Sequence, residues 1–316
     1  MLAMRHLRSA LWLAPILGLV ACTPQSVPAP PPDGWVAYPT PPPRACAWAR
    51  AQGSTRDWRV RLADGRLVIE RNDDVAPDPT LPVFQIPAAE KKAWTCPECV
   101  MRVEDGILVG FNGGEFGGRL WWTDGSGGNA YAVPHIGRCR DIADTGRPSP
   151  PFRAENVKAL VRSGGRIFVM TGLTFFGPHQ GEFSLVERSQ GKWQTCLARN
   201  LEGEPIAQTA DGADSWFVMT DIGLVHVDVH GAMRKFGSFS LIEEGFYPSS
   251  MVKLADGTLY TAARHFVARL TPEPYGVYRE ELFVPKERPE FDYVSWIDAP
   301  DSRHECKGKK PTDRQL

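Results

Sequence analysis

The residues with the most chemistry to offer lie in one run, GFNGGEFGGRLWWTDGSGGN, Gly110 to Asn129. Glycines beside Glu115 and Arg119 have the composition of a phosphate cradle. Trp121 and Trp122 beside Glu115 and Asp124 have that of a sugar platform with an acid/base carboxylate pair. A cradle of backbone amides needs a helix opening after the glycines and a Lys beyond them, and neither follows here. Two carboxylates hydrolyse a glycoside only at a defined separation, which sequence spacing does not set. Asp124 precedes Gly125, the ordinary chemistry of a turn. His179, His265 and Asp221 are metal-ligating types without a ligating spacing. No Gly-x-Ser-x-Gly elbow occurs. The sequence therefore assigns no catalytic residue, no metal and no cofactor.

The N-terminus carries an address. Arg5, His6 and Arg8 precede SALWLAPILGLVAC, an apolar run too short to span a bilayer and interrupted by Pro15. That is the layout of a secretory signal. Its end, Leu19-Val20-Ala21-Cys22, resembles the bacterial lipoprotein signal. The resemblance implies cleavage before Cys22, a signal peptide over residues 1–21 and diacylglycerol on the Cys22 sulfur. Thr23 at the next position, by the same resemblance, implies sorting to the outer membrane, facing the periplasm. Residues 22–45 are rich in proline and read as a stiff, extended tether.

Of seven cysteines, lipidation of Cys22 leaves six: Cys46, Cys96, Cys99, Cys139, Cys196 and Cys306. An even number in an exported chain points to disulfides. The pairing is open, with Cys46 to Cys306 attractive as a staple between the domain ends. Cys96-Pro-Glu-Cys99 is similar to the thioredoxin-type redox motif, but that motif needs a helix after it to lower the first thiol's pKa. VMRVEDGILVGF follows instead and alternates as a strand. Zinc lacks a second ligand pair.

The elements that must position all these residues form a repeat. WRVRLADGRLVIER, VMRVEDGILVGFN, KALVRSGGRIFVMTG, IAQTADGADSWFVMTD and MVKLADGTLYTAAR each join two alternating runs through an Asp-Gly or Gly-Gly type of turn, the signature of a β-hairpin. The turns fall at Asp64, Asp105, Gly164, Asp211 and Asp256, spaced by 41, 59, 47 and 45 residues. Multi-strand repeats of about 40–50 residues are the mark of propeller blades. The expected fold is all-β, a propeller of five four-stranded blades over residues 46–300 with a tail at 301–316. The first unit is ragged, with PVFQIP as an outer strand and FDYVSWID lending a strand that closes the ring by pairing of the chain ends. Over roughly residues 55–300 the chain resembles the broad group of bacterial propeller proteins with degenerate repeats.

In such a blade the loops between second and third strands share one rim with the loops between blades, and the hairpin turns lie on the other. This gathers Asn112, Glu115, Arg119, Trp122, Phe175, Phe176, His179, Asp221, Arg264 and His265 as a candidate binding surface. Adjacent Trp121 and Trp122 point to opposite faces, one of them into blade packing. Residues 141–156 form the largest insertion, a surface loop.

A formal net charge of −1 gives no field for nucleic acid. The reading is a lipid-anchored envelope module that binds a partner protein, as an assembly scaffold or a protective inhibitor. The alternative is a polysaccharide-active enzyme or a carbohydrate-binding sensor.

Overall fold

The computed structural model describes residues 30–38, 58–71, 97–113, 118–124, 129–139, 156–173, 180–239, 248–263 and 266–286. It is all-β. The strands are β1 (Trp35–Tyr38), β2 (Trp58–Ala63), β3 (Arg66–Arg71), β4 (Pro97–Val103), β5 (Gly106–Phe111), β6 (Arg119–Thr123), β7 (Ala130–Ala132), β8 (His135–Arg138), β9 (Asn156–Ser163) and β10 (Arg166–Leu173). They continue with β11 (Gln180–Ser189), β12 (Lys192–Asn200), β13 (Pro205–Ala210), β14 (Ser215–Thr220), β15 (Gly223–Asp228), β16 (Met233–Lys235), β17 (Pro248–Lys253), β18 (Leu259–Ala263), β19 (Val267–Glu273) and β20 (Val277–Pro285).

They form five sheets in chain order. The first is the hairpin β2–β3. The second is β4-β5-β6-β7. The third runs β8-β12-β11-β10-β9, the fourth β13-β14-β15-β16, and the fifth β1-β20-β19-β18-β17. Thus the second and fourth sheets have the expected four strands. The third and fifth each gain one. β8 adds to β12 in parallel, and β1 adds to β20 antiparallel, pairing Trp35 with Pro285 and Tyr38 with Leu282. Each covers an outer edge that would otherwise expose unpaired backbone groups. Part of the proline-rich segment expected as tether therefore belongs to a sheet: Trp35 is 6% exposed and meets Trp58 of the first sheet edge-on, ring centroids 4.8 Å apart. PVFQIP, FDYVSWID and the 141–155 insertion lie outside the described residues.

The hairpin turns sit where the repeat predicts, with one slip. Asp64 and Gly65 take φ of 50° and 73°, Gly164 and Gly165 take 53° and 76°, the left-handed pair that a two-residue hairpin turn requires. In the second sheet Val103 pairs with Gly106, so Glu104 and Asp105 make the turn and Gly106 opens β5. Close packing, and not the turn, requires the glycine. A Cβ on Gly106 would stand 2.1 Å from the Thr123 carbonyl and 2.8 Å from the Trp122 indole.

The core lies between sheets. Val169, Val186 and Trp193 of the third meet Leu108 and Leu120 of the second. Phe168 and Phe183 stack with centroids 4.6 Å apart, and Trp216 of the fourth sits against both. Met219 and Leu224 of the fourth meet Leu259, Ala268 and Leu282 of the fifth. Val252, Tyr260 and Phe283 of the fifth meet Val60 of the first. Burying each phenylalanine contributes about 2–3 kcal/mol. The packing order is thus second, third, fourth, fifth, first. The first strands adjoin in the same order, β4 beside β9, β9 beside β13, β13 beside β17 and β17 beside β2.

Polar braces reinforce the same joints, the first three at the hairpin-turn ends and the last in mid-strand. Asp105 accepts from Trp193 Nε1 at 2.9 Å. Ser163 Oγ donates to Asp214 Oδ1 at 3.0 Å. Asp211 accepts from Lys253 Nζ at 2.8 Å. Ser250 Oγ accepts from the Val60 amide at 2.9 Å.

Candidate functional site

At the opposite ends of the strands, the loop after β5, the start of β6, the turn between β14 and β15 and the loop from β12 to β13 form one rim. Asn112 follows the last residue of β5 and is half-buried. Its neighbour Gly113 donates its amide to Asn156 Oδ1, at the start of β9, at 3.0 Å. Lys158, two residues on, pairs with Glu204 Oε1 at 2.7 Å, with the side chains only 18% and 12% exposed. The Glu204 amide in turn donates to Asp221 Oδ1 at 2.7 Å. Asp221 therefore braces the loop that enters the fourth sheet. Beside it, Ile222 is 42% exposed.

Glycine lets these sheets approach. A Cβ on Gly118 would lie 2.0 Å from the Phe111 carbonyl and 2.8 Å from Asn156 Cα. So part of the glycine run serves close contact rather than a ligand.

Arg119 opens β6 and lies at this rim. Alternation places its side chain on the face of Trp121 and Thr123, opposite Leu120 and Trp122. Trp122 lies elsewhere. It pairs with Leu108, near the hairpin-turn end, where its Nε1 donates to Asp105 at 3.3 Å and its ring tilts against Tyr131. It belongs to the joint between the second and third sheets, about 10 Å along the strand from Arg119 at 3.3–3.4 Å per residue, and the rim surface loses it for that reason. Glu115, Phe175, Phe176, His179, Arg264 and His265 lie outside the described residues, as do Cys22, Cys46, Cys96 and Cys306.

Between the second and third sheets, a cavity of about 360 Å³ is lined by Leu120, Val133, Val157 and Val169 on its apolar side and by Arg119, Thr171, Glu182, Ser184, Thr195 and His135 on its polar side. Glu182 is 6% exposed and Ser184 2%. Thr171 faces Glu182 directly across β10 and β11, and Val169 faces Ser184. His135 Nδ1 lies 3.2 Å from Thr195 Oγ1. The Thr171 hydroxyl is buried and has no hydrogen-bond partner.

Sequence reasoning missed Asn156, Lys158, Thr171, Glu182 and Glu204. The signal for one was present. In GEFSLVER strict alternation puts Glu182 and Ser184 on the face of Val186, so a carboxylate lies on a core face.

Cys139 and Cys196 form a disulfide, tying the end of β8 to β12. Cys99, on β4, packs at the joint between the second and third sheets. Among the described residues no group of three or more His, Cys, Asp and Glu side chains converges to hold a metal ion.

No family model and no curated protein matches the chain. Solved structures resemble it slightly. A streptogramin B lyase is 17% identical with a TM-score of 0.35, covering 60% of this chain and 55% of its own. Virginiamycin B lyase from Staphylococcus aureus is 12% identical with a TM-score of 0.36, covering 72% of this chain and 69% of its own. The N-terminal domain of Nup159 is 13% identical with a TM-score of 0.34, covering 70% and 57%. The chain thus spans little more than half the length of the streptogramin B lyase. At these TM-scores none of the likenesses bears on what the chain does.

Proposed function

We propose that this chain is a lipid-anchored envelope protein whose five sheets are the blades of a β-propeller and whose rim binds a partner protein. Support for the blades comes from the packing order, in which the second to fifth sheets follow one another, the fifth meets the first, and the first strands adjoin in the same order, while no core cluster of the described residues joins the first sheet to the second. Anchoring rests on the LVAC signal ending at Cys22.

One observation carries the binding role. The rim is a braced surface in which Asn156, Lys158, Glu204 and Asp221 tie successive sheets together while Ile222 stands exposed. Loops held by a rigid scaffold are where recognition concentrates. An assembly scaffold or a protective inhibitor needs such a surface and no chemistry.

The test is capture from detergent-solubilised envelopes. The acylated wild-type chain should recover one protein partner, and Ile222→Asp should lose it without lowering thermal stability. Turnover of an envelope glycan that Glu115→Gln abolishes would replace this reading with the enzymatic one.

A further inference from the structure

We infer that the cavity between the second and third sheets is a binding site for a small neutral polyol, a ligand with neighbouring hydroxyls no larger than about a monosaccharide. The cavity shares Arg119 with the rim, but the variants that test it, at Thr171 and Glu182, lie apart from the partner-binding residues.

The cavity has the volume of a small-molecule site at about 360 Å³, within the usual range of about 300–1,000 Å³. Its walls divide by chemistry along the strands. On one face of the third sheet the cross-strand pairs run from Ile167–Val186 through Val169–Ser184 to Thr171–Glu182. Apolar pairing thus gives way to a hydroxyl beside an apolar side chain, then to a hydroxyl beside a carboxylate. Partners directly across an antiparallel pair have Cβ atoms about 4.5–5.5 Å apart, so Thr171 and Glu182 present adjacent polar atoms to one ligand.

The Thr171 hydroxyl is the second observation. Buried polar groups without partners are rare and call for an explanation. Thr171 Oγ1 is such a group, and it lines this cavity. Ser184 and Thr195, 2% and 7% exposed, add two more hydroxyls.

Ligand charge follows from Glu182. It already engages the protein, as a carboxylate this deeply buried must. Arg119 and His135 line the same cavity, so the walls already carry acidic and basic types together, and a neutral ligand adds no further charge to bury. A carboxylate offers about four acceptor sites, so it keeps capacity for neutral O–H donors. Neighbouring hydroxyls on a ligand can donate to Glu182 and exchange hydrogen bonds with Thr171, and the valines and Leu120 cover the carbon skeleton. Among the described residues no Phe, Tyr or Trp ring lines the cavity.

The experiment is isothermal titration of the full exported chain with a panel of glycerol, erythritol, inositol, glucose and galactose, beside free amino acids, alkylammonium and phosphate. At least one polyol should bind saturably in the micromolar to millimolar range. Thr171→Val keeps the side-chain shape and removes only the hydroxyl, so it should weaken binding about tenfold without lowering the melting temperature. Glu182→Gln should weaken the same polyol at least as much. If no polyol binds, the cavity holds water only and the inference fails. Preferential binding of a charged compound overturns the ligand class. Polyol binding that both variants leave unchanged places the ligand elsewhere and overturns the site.

Discussion

The indole Nε1–H of Trp193, in the third sheet, donates to Asp105 Oδ1, in a turn of the second, at 2.9 Å. Asp105 also accepts from Trp122 Nε1 at 3.3 Å and pairs with Arg188 at 3.2 Å. A turn aspartate has become the clamp between two sheets. Asp105→Ala would leave the Trp193 indole, on a side chain 7% exposed, without its acceptor. The expected cost is roughly 2–3 kcal/mol in urea unfolding. Asp256→Ala, which removes a bond to Thr258 within its own turn, should cost about 1 kcal/mol or less. Equal effects at both sites would contradict the clamp.

Asp211 makes the corresponding joint between the fourth and fifth sheets, binding Lys253 at 2.8 Å and His226 Nε2 at 2.9 Å. Partial burial opposes its ionisation, but the Lys253 and His226 contacts outweigh it, and the carboxyl is held below its usual range. A carboxyl with a depressed folded pKa contributes stability that is fully present above its unfolded pKa. That stability is lost as pH falls through the folded value. Wild-type stability should therefore drop on acidification through and below the ordinary aspartate range, more steeply than that of Asp211→Asn. Parallel pH profiles for the two proteins would remove Asp211 from the account.

The Cys139–Cys196 bridge closes a separation of 57 residues and anchors β8, a four-residue strand, to the third sheet. Reduction should lower stability by up to about 4 kcal/mol, the chain-entropy value for a loop of this size. Denaturation curves of wild type and a Cys139→Ser/Cys196→Ser variant check this. Superimposable curves would show that β8 does not need the bridge.

Lys158 and Glu204 form an ion pair in which neither side chain is more than one-fifth exposed. Removing one partner of a buried pair strands the other at a cost of about 3–5 kcal/mol. Glu204→Gln should fall at or below the lower end because the amide retains one acceptor. Glu204→Leu should cost more. A double change to Lys158→Met/Glu204→Leu should recover much of the loss. Failure of the double variant to recover stability would mean that the loop into the fourth sheet, and not the pair, is what Glu204 supports.

Much of the sheet plan was legible because hairpins are local. Asp64-Gly65 and Gly164-Gly165 announce left-handed turn positions, and the alternating runs around them became β2–β3 and β9–β10 without revision. β1 and β8 were not legible. Each is four residues long, and their partners lie far along the chain, so neither periodicity nor turn chemistry signals them. In the second hairpin Gly106 opens β5 instead of sitting in the turn, and its close approach to Thr123 and Trp122 across the sheet is a contact the turn motif does not record. The rim candidates Asn112, Arg119 and Asp221 lie at the same ends of their strands because loop position follows from strand order. Trp122 does not, since three positions along β6 carry it from Arg119 toward the far end of the sheet. Thr171 and Glu182 escaped notice because cross-strand register, not sequence spacing, makes them neighbours.

Site-specific photo-crosslinking in living cells tests the binding role most directly. A crosslinker at Ile222, exposed on the braced rim, is compared with one at Arg166, exposed at the hairpin-turn end of β10. A partner-binding rim gives a discrete adduct with one envelope protein from position 222, absent from position 166 and lost when Cys22→Ser removes the anchor. Adducts from both positions alike, or from neither, would contradict a partner-binding rim.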